Sequence, residues 1–162
     1  EGAIALYSKA FDYPENHQVF YVDGRVPHDA QVYCALAEAY AALGDAANEK
    51  ANYEKAVQVN VRKTDYRYWK GVALKALGRK AEAKALFREL VDEGRKGIVT
   101  DFVNFYGAEG TTGETVATVN TRAYLTMGLG YKGLGRTFKA RSCFKKAVSL
   151  KPDNLWADVM LR

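Results

Sequence analysis

Apolar and small residues recur along this chain in three similar registers, each with the span of two helices joined by a short turn. Tyr33, Leu36, Tyr40, Tyr53 and Ala56 form the first; Gly71, Leu74, Ala83 and Phe87 form the second; Tyr124, Gly128, Tyr131, Ala140, Phe144 and Ala147 form the third. Runs such as Ala35 to Leu43 and Ala81 to Leu90 are rich in helix formers. Between the two helices of each register stands the same turn: Leu43-Gly44-Asp45, Leu77-Gly78-Arg79 and Leu134-Gly135-Arg136. Glycine ends helices because it takes the left-handed conformation without steric cost.

The physical logic of the pattern is close packing. Gly71, Ala83, Gly128 and Ala140 are small enough to let antiparallel helices approach to the short end of the usual separation, and Phe87 and Phe144 fill the space beside them. Gly44 and Gly78 lie 34 residues apart, a period that belongs to tetratricopeptide-type helix-turn-helix repeats. With these residues the chain resembles the tetratricopeptide repeat family, and its third register, which ends at Pro152, fits best. Glu49, Leu90 and Val61 depart from the family pattern, where a small residue, Ala and Pro are expected, and each is expected to weaken its own repeat. The expected fold is all-α: a right-handed solenoid of antiparallel helix pairs, with repeats at 30–63, 64–97 and 121–154.

Flanking segments extend that frame. Ala3, Tyr7 and Ala10 repeat a small-aromatic-small spacing, so residues 1–12 read as the second helix of a repeat whose first helix is missing. Asp153-Asn154-Leu155-Trp156-Ala157 places a capping residue before a partial apolar helix, 155–162, and the whole reads as a single domain, a piece of a longer solenoid. Two stretches break the period. Residues 13–29 carry Asp23-Gly24 between apolar residues, a hairpin-turn signal, but Pro27 and the short arms make an ordered loop the better reading. A 23-residue insert, 98–120, precedes the third repeat; its apolar first half is expected to pack on the helices and its Gly-rich second half to form a loop.

Tyr13-Pro14-Glu15-Asn16, Tyr66 to Leu74 and the Phe-rich insert also look like the carboxy-terminal repeat region of large bacterial proteins. In those proteins the repeats follow β-rich domains of unassigned activity. That likeness assigns no reaction to this piece.

Composition narrows the function. The chain has 162 residues, 48% of them hydrophobic, enough for one continuous core, and no run of about 18 apolar residues that would span a membrane. Gly128-Leu129-Gly130-Tyr131-Lys132-Gly133 formally satisfies a dinucleotide-binding string, with Asp153 downstream. The glycines fall inside a helix with no βαβ pattern around them, so packing against the insert is the preferred reason for the extra ones. His17 and His28 stand in or beside loops without a second ligand at metal spacing, and no serine, histidine and acid cluster can be assembled. Neither a cofactor, a metal nor an enzymatic activity is expected. Cys34 and Cys143 read as reduced, buried thiols, which suggests a reducing, cytoplasmic compartment.

Function then falls to the surface. The family resemblance implies that partner peptides lie in a concave groove formed by first-helix residues. On this chain the corresponding positions are Gln31, Cys34, Ala35, Glu38, Ala41 and Ala42, then Asp65, Tyr68, Trp69, Val72, Lys75 and Ala76, then Arg122, Leu125, Thr126, Leu129, Lys132 and Gly133. The subfamily that binds chaperone tails needs Lys and Asn at fixed groove positions that this set lacks, and Cys34 and Glu38 stand where that charged clamp would begin, which argues against the role. Tyr68, Trp69, Val72, Leu125 and Leu129 could line an apolar slot, and Lys75, Arg122 and Lys132 could receive carboxylates. The insert, or Val19 to Val22, could instead fill the groove.

Charge offers another candidate. The net charge is +5 with a pI near 9.1, and Thr115 to Pro152 holds eight cations and no acid. A solvated helix surface is preferred over nucleic-acid binding, because groove positions do not repeat chemically as base-reading modules require. The expected role is a scaffold for a peptide or a protein domain, including a domain of its own parent chain. A structural spacer that stacks through its terminal helices, as a monomer or weak end-to-end dimer, is the alternative.

Overall fold

Gly44, Gly78 and Gly135 have φ of 75°, 78° and 72°, and each closes a helix with the same pair of backbone bonds. The N–H of Asp45 donates to Tyr40 O at 3.0 Å, that of Arg79 to Leu74 O at 2.8 Å and that of Arg136 to Tyr131 O at 2.8 Å, while each glycine N–H donates one residue further along. This six-residue closure satisfies the orphan carbonyls of the preceding helix and turns the chain straight into the next. Asp45 serves twice, since its Oδ1 also accepts from Asn48 N at 3.0 Å as the N-cap of the following helix.

A computed structural model of the protein describes residues 1–12, 28–62, 65–100 and 115–161. Among them are α1 (Gly2–Lys9), α2 (Asp29–Ala42), α3 (Ala46–Gln58), α4 (Arg67–Ala76), α5 (Lys80–Lys96), α6 (Val116–Gly133), α7 (Thr137–Leu150) and α8 (Leu155–Leu161), and no strand. The all-α expectation holds. The expected loop over 13–29 lies outside the described residues except for its last two, of which Asp29 already belongs to α2. The chain divides into two compact units, Glu1–Leu86 and Phe87–Arg162.

In the first unit α2 pairs with α3, and α4 packs on both. Its core gathers Cys34, Ala37, Tyr53, Ala56 and Ala73, ringed by Tyr33, Val57, Trp69, Val72 and Leu77. Alanines at the contacts allow close approach of the helices, and Tyr53 supplies the bulk. A second cluster joins Ala30, Val59 and Val61. Val61, a departure from the repeat pattern, is therefore a core side chain, and its burial offsets the cost expected of it. Beyond α1, the Phe11 ring lies against Tyr33, tilted by 34° with centroids 4.6 Å apart.

In the second unit the carboxy-terminal half of α5 packs against α6, α6 against α7, and α7 against α8. Phe87, Leu90 and Phe144 are its fully buried large side chains. Each such burial contributes about 1.5 to 3 kcal/mol. Leu90, which stands where the family pattern has Ala and is expected to weaken its repeat, is a filled core position.

Two expectations change here. First, α6 begins at Val116, inside the segment assigned to the insert, because Thr115 Oγ1 accepts from Thr118 N at 3.2 Å and caps the helix. Second, among the described residues the nearest neighbours of Gly130 and Gly133 belong to α5: a Cβ at 130 would sit 2.8 Å from Val91 N, and one at 133 would enter the Phe87 ring. Of the insert, Val99 is pinned to α6. Its N–H donates to Asn120 Oδ1 and its carbonyl accepts from Asn120 Nδ2, both at 2.8 Å. Residues 101–114 lie outside the described residues.

Candidate functional site

Helical spacing puts Gln31, Cys34 and Glu38 on one face of α2, and Tyr68, Trp69, Val72 and Lys75 on α4, with Asp65 just ahead of it. The structure brings the centre of this set together. Cys34 Sγ donates to Trp69 O at 3.4 Å, and Trp69 and Val72 pack on the cluster that contains Cys34. The Tyr68 and Trp69 rings meet edge to face at 5.2 Å.

Burial divides these residues into a floor and a rim. Cys34 and Tyr68 are buried, Gln31, Asp65, Trp69 and Val72 are half-buried, and Glu38 and Lys75 are exposed. Burial, with the charge of nearby Glu38, pushes the Cys34 thiol up to about 12, while a backbone contact with Ala73 works the other way. The Tyr68 hydroxyl is likewise pushed up to about 12, by burial first and then by Cys34 and Glu38. Tyr53 is raised by burial and by the same Glu38 carboxylate. At neutral pH the floor is therefore a protonated thiol and two neutral phenols beneath one exposed negative charge. A protonated, buried thiol is neither a nucleophile nor a metal ligand.

The third set lies on α6 in the second unit. Leu125 and Leu129 are 5% and 4% exposed, so they are core side chains here, whereas Arg122 and Lys132 are exposed. Lys132 Nζ donates to the Met160 thioether of α8 at 3.2 Å. The segments weighed as groove fillers, 19–22 and the part of the insert over 101–114, lie outside the described residues.

Other candidate chemistry resolves into packing. The Gly128, Gly130 and Gly133 string lies within α6, where its glycines face Phe144, α5 backbone and Phe87, leaving no strand-to-helix cradle for a phosphate. His28 stands at the start of α2 with Nε2 3.8 Å from Asp29 Oδ1. Among the described residues no three of His, Cys, Asp and Glu converge as a metal site, and no helix is long and apolar enough to cross a membrane. Both cysteines are free and buried.

The acid-free stretch 115–152 does not hold all the cations that gather in the second unit. Arg88 and Arg95, seven residues apart on α5, join Arg136 and Lys139 around a single cleft in the second unit. The signal was available in their helical spacing, which repeats every two turns.

Family models support the same repeats. A tetratricopeptide repeat model matches residues 30–60 and 121–154, and a second tetratricopeptide repeat model matches 65–93. No curated protein matches the chain. With the paired helices, the glycine closures and these matches spanning more than half of its length, the chain belongs to the tetratricopeptide repeat family.

Proposed function

We propose that this chain holds a polypeptide partner, a peptide or a protein domain, on the first-helix face of its repeats. Tetratricopeptide repeats generally mediate protein–protein interaction. The observation that carries the reading is the partly exposed pair Trp69 and Val72, fixed from below by the Cys34 bond and flanked by the exposed charges of Glu38 and Lys75. A rigid aromatic seated on a core, with polar groups at its rim, is the composition of an interface anchor. On α6, Arg122 and Lys132 are the proposed polar contacts, and the neighbouring Leu125 and Leu129 are buried. The mechanism is presentation of a surface, without bond chemistry, in a reducing cytoplasmic setting that suits two free thiols.

A photo-crosslinking side chain at Val72, compared with one at exposed Lys50 on α3, tests the reading in the intact protein. Adducts with a polypeptide from position 72 that are absent from position 50, and lost with Trp69→Ala, are expected. Equal labelling from both positions would remove the proposed face.

A second reading has its own support. Leu155 and Val159 lie one turn apart on α8 with 78% and 58% exposure, and Leu6 on α1 is 69% exposed. Assembly through these helices predicts that light scattering detects a concentration-dependent dimer that Leu155→Glu abolishes.

A further inference from the structure

The second unit carries a cationic cleft of about 280 Å³ between α5 and the α6–α7 turn. Arg88 and Arg95 line it from α5, Arg136 and Lys139 from the other wall, and Asp92 is its single acid. Arg95 lies 3.8 Å from Asp92, whereas Arg88, Arg136 and Lys139 have no ion pair among the described residues. Three uncompensated charges in one depression focus a positive potential there, and guanidinium forks match carboxylates bidentately. The cleft shares no residue with the first-helix positions proposed above.

Its geometry selects among anions. Seven residues of α-helix separate Arg88 from Arg95 by about 10.5 Å. That spacing matches acidic side chains about three residues apart on an extended peptide, which advances about 3.3 Å per residue. Single-stranded nucleic acid also needs an exposed aromatic face on which bases stack. The ring in this cleft, Tyr131, is 8% exposed and carries Lys139 Nζ 5.7 Å from its centroid. Phe138, 93% exposed, does not line the cleft. We propose that this cleft is a docking site for an extended acidic peptide segment, with Arg88, Arg95, Arg136 and Lys139 as its carboxylate contacts.

Fluorescence anisotropy of a labelled decaglutamate peptide with the full chain at low ionic strength tests the proposal, alongside a neutral Gly-Ser peptide and an oligouridylate of equal length. Saturable binding of decaglutamate is expected, weakened about tenfold or more by Arg88→Glu with Arg136→Glu and steeply by salt. Lys9→Glu with Lys50→Glu makes the same change in net charge within the first unit and is expected to leave binding unchanged. Where the reversal lowers helicity, Arg88→Gln with Arg136→Gln carries the same test by removing charge alone. Absence of saturable binding, an oligouridylate that binds as tightly as the peptide, or equal weakening by the control pair would each overturn the proposal. Trp69→Ala is expected to leave this binding intact, so failure here is separable from failure of the first-helix face.

Discussion

The Phe144 ring occupies the space that a Cβ on residue 128 would need: an added methyl at Gly128 would fall within the ring's own contact distance. Phe144 is 1% exposed and has no room to withdraw. Alanine normally gains about 1 kcal/mol over glycine inside a helix. Overpacking a core costs about 1 to 3 kcal/mol, so Gly128→Ala is expected to destabilise the second unit despite its better propensity. Urea denaturation checks this, and adding Phe144→Leu to make space is expected to restore part of the loss.

Asn120 predicts a local effect. Its amide makes both bonds to Val99, and each is worth about 0.5 to 1.5 kcal/mol net. Asn120→Ala is expected to speed amide exchange at Val99 while leaving exchange in the middle of α6 nearly unchanged. Asn120→Asp keeps an acceptor for the Val99 N–H but sets a second oxygen against the Val99 carbonyl, and is expected to lose much of the protection as well.

The buried floor of the first unit predicts alkaline sensitivity. Cys34 rises from 9.0 to about 12 and Tyr68 from 10.0 to about 12 on folding. Both groups hold their protons longer in the folded state than in the unfolded one. Their contribution is therefore present in full below the unfolded values and is lost as pH rises from about 9 through about 12. Denaturation midpoints at mildly and strongly alkaline pH should diverge less in Cys34→Ala than in the parent. Thiol reagents at neutral pH should label native Cys34 far more slowly than the unfolded chain.

Glu38 offers a finer version. Its carboxylate adds to the upward push on Cys34, Tyr53 and Tyr68. Glu38→Gln should lower the titration of the tyrosines, read by phenolate absorbance, without disturbing the fold, because the side chain is exposed.

How far these features could be read from the chain depended on the kind of signal each left. The three glycine turns were plain because a positive φ leaves a residue-type signature at a fixed offset. The start of α6 was hidden: Val116-Ala117-Thr118-Val119-Asn120 is rich in β-branched residues with poor helix propensity, and the Thr115 cap and the Asn120 clamp override it. Cys34, Leu125 and Leu129 occupy pattern positions that the resemblance assigns to a groove, yet they are buried, since position in a repeat says which way a side chain points and not what covers it. Gly130 and Gly133 were visible as anomalies, but their partners on α5 lie about forty residues away in sequence. The cleft needed Arg88 and Arg95 to be placed beside Arg136 and Lys139, a juxtaposition that only the packing of α5 on the α6–α7 turn creates.

The pairing of Asn120 with Val99 bears on how such a chain can vary. One side-chain amide holds together two points 21 residues apart, and the helices on either side meet through their own glycine contacts. Each doubling of the intervening length costs only about 0.6 kcal/mol in closure entropy. The position is thus a socket: stretches of different length and chemistry can be exchanged there over generations while the flanking helices keep one geometry.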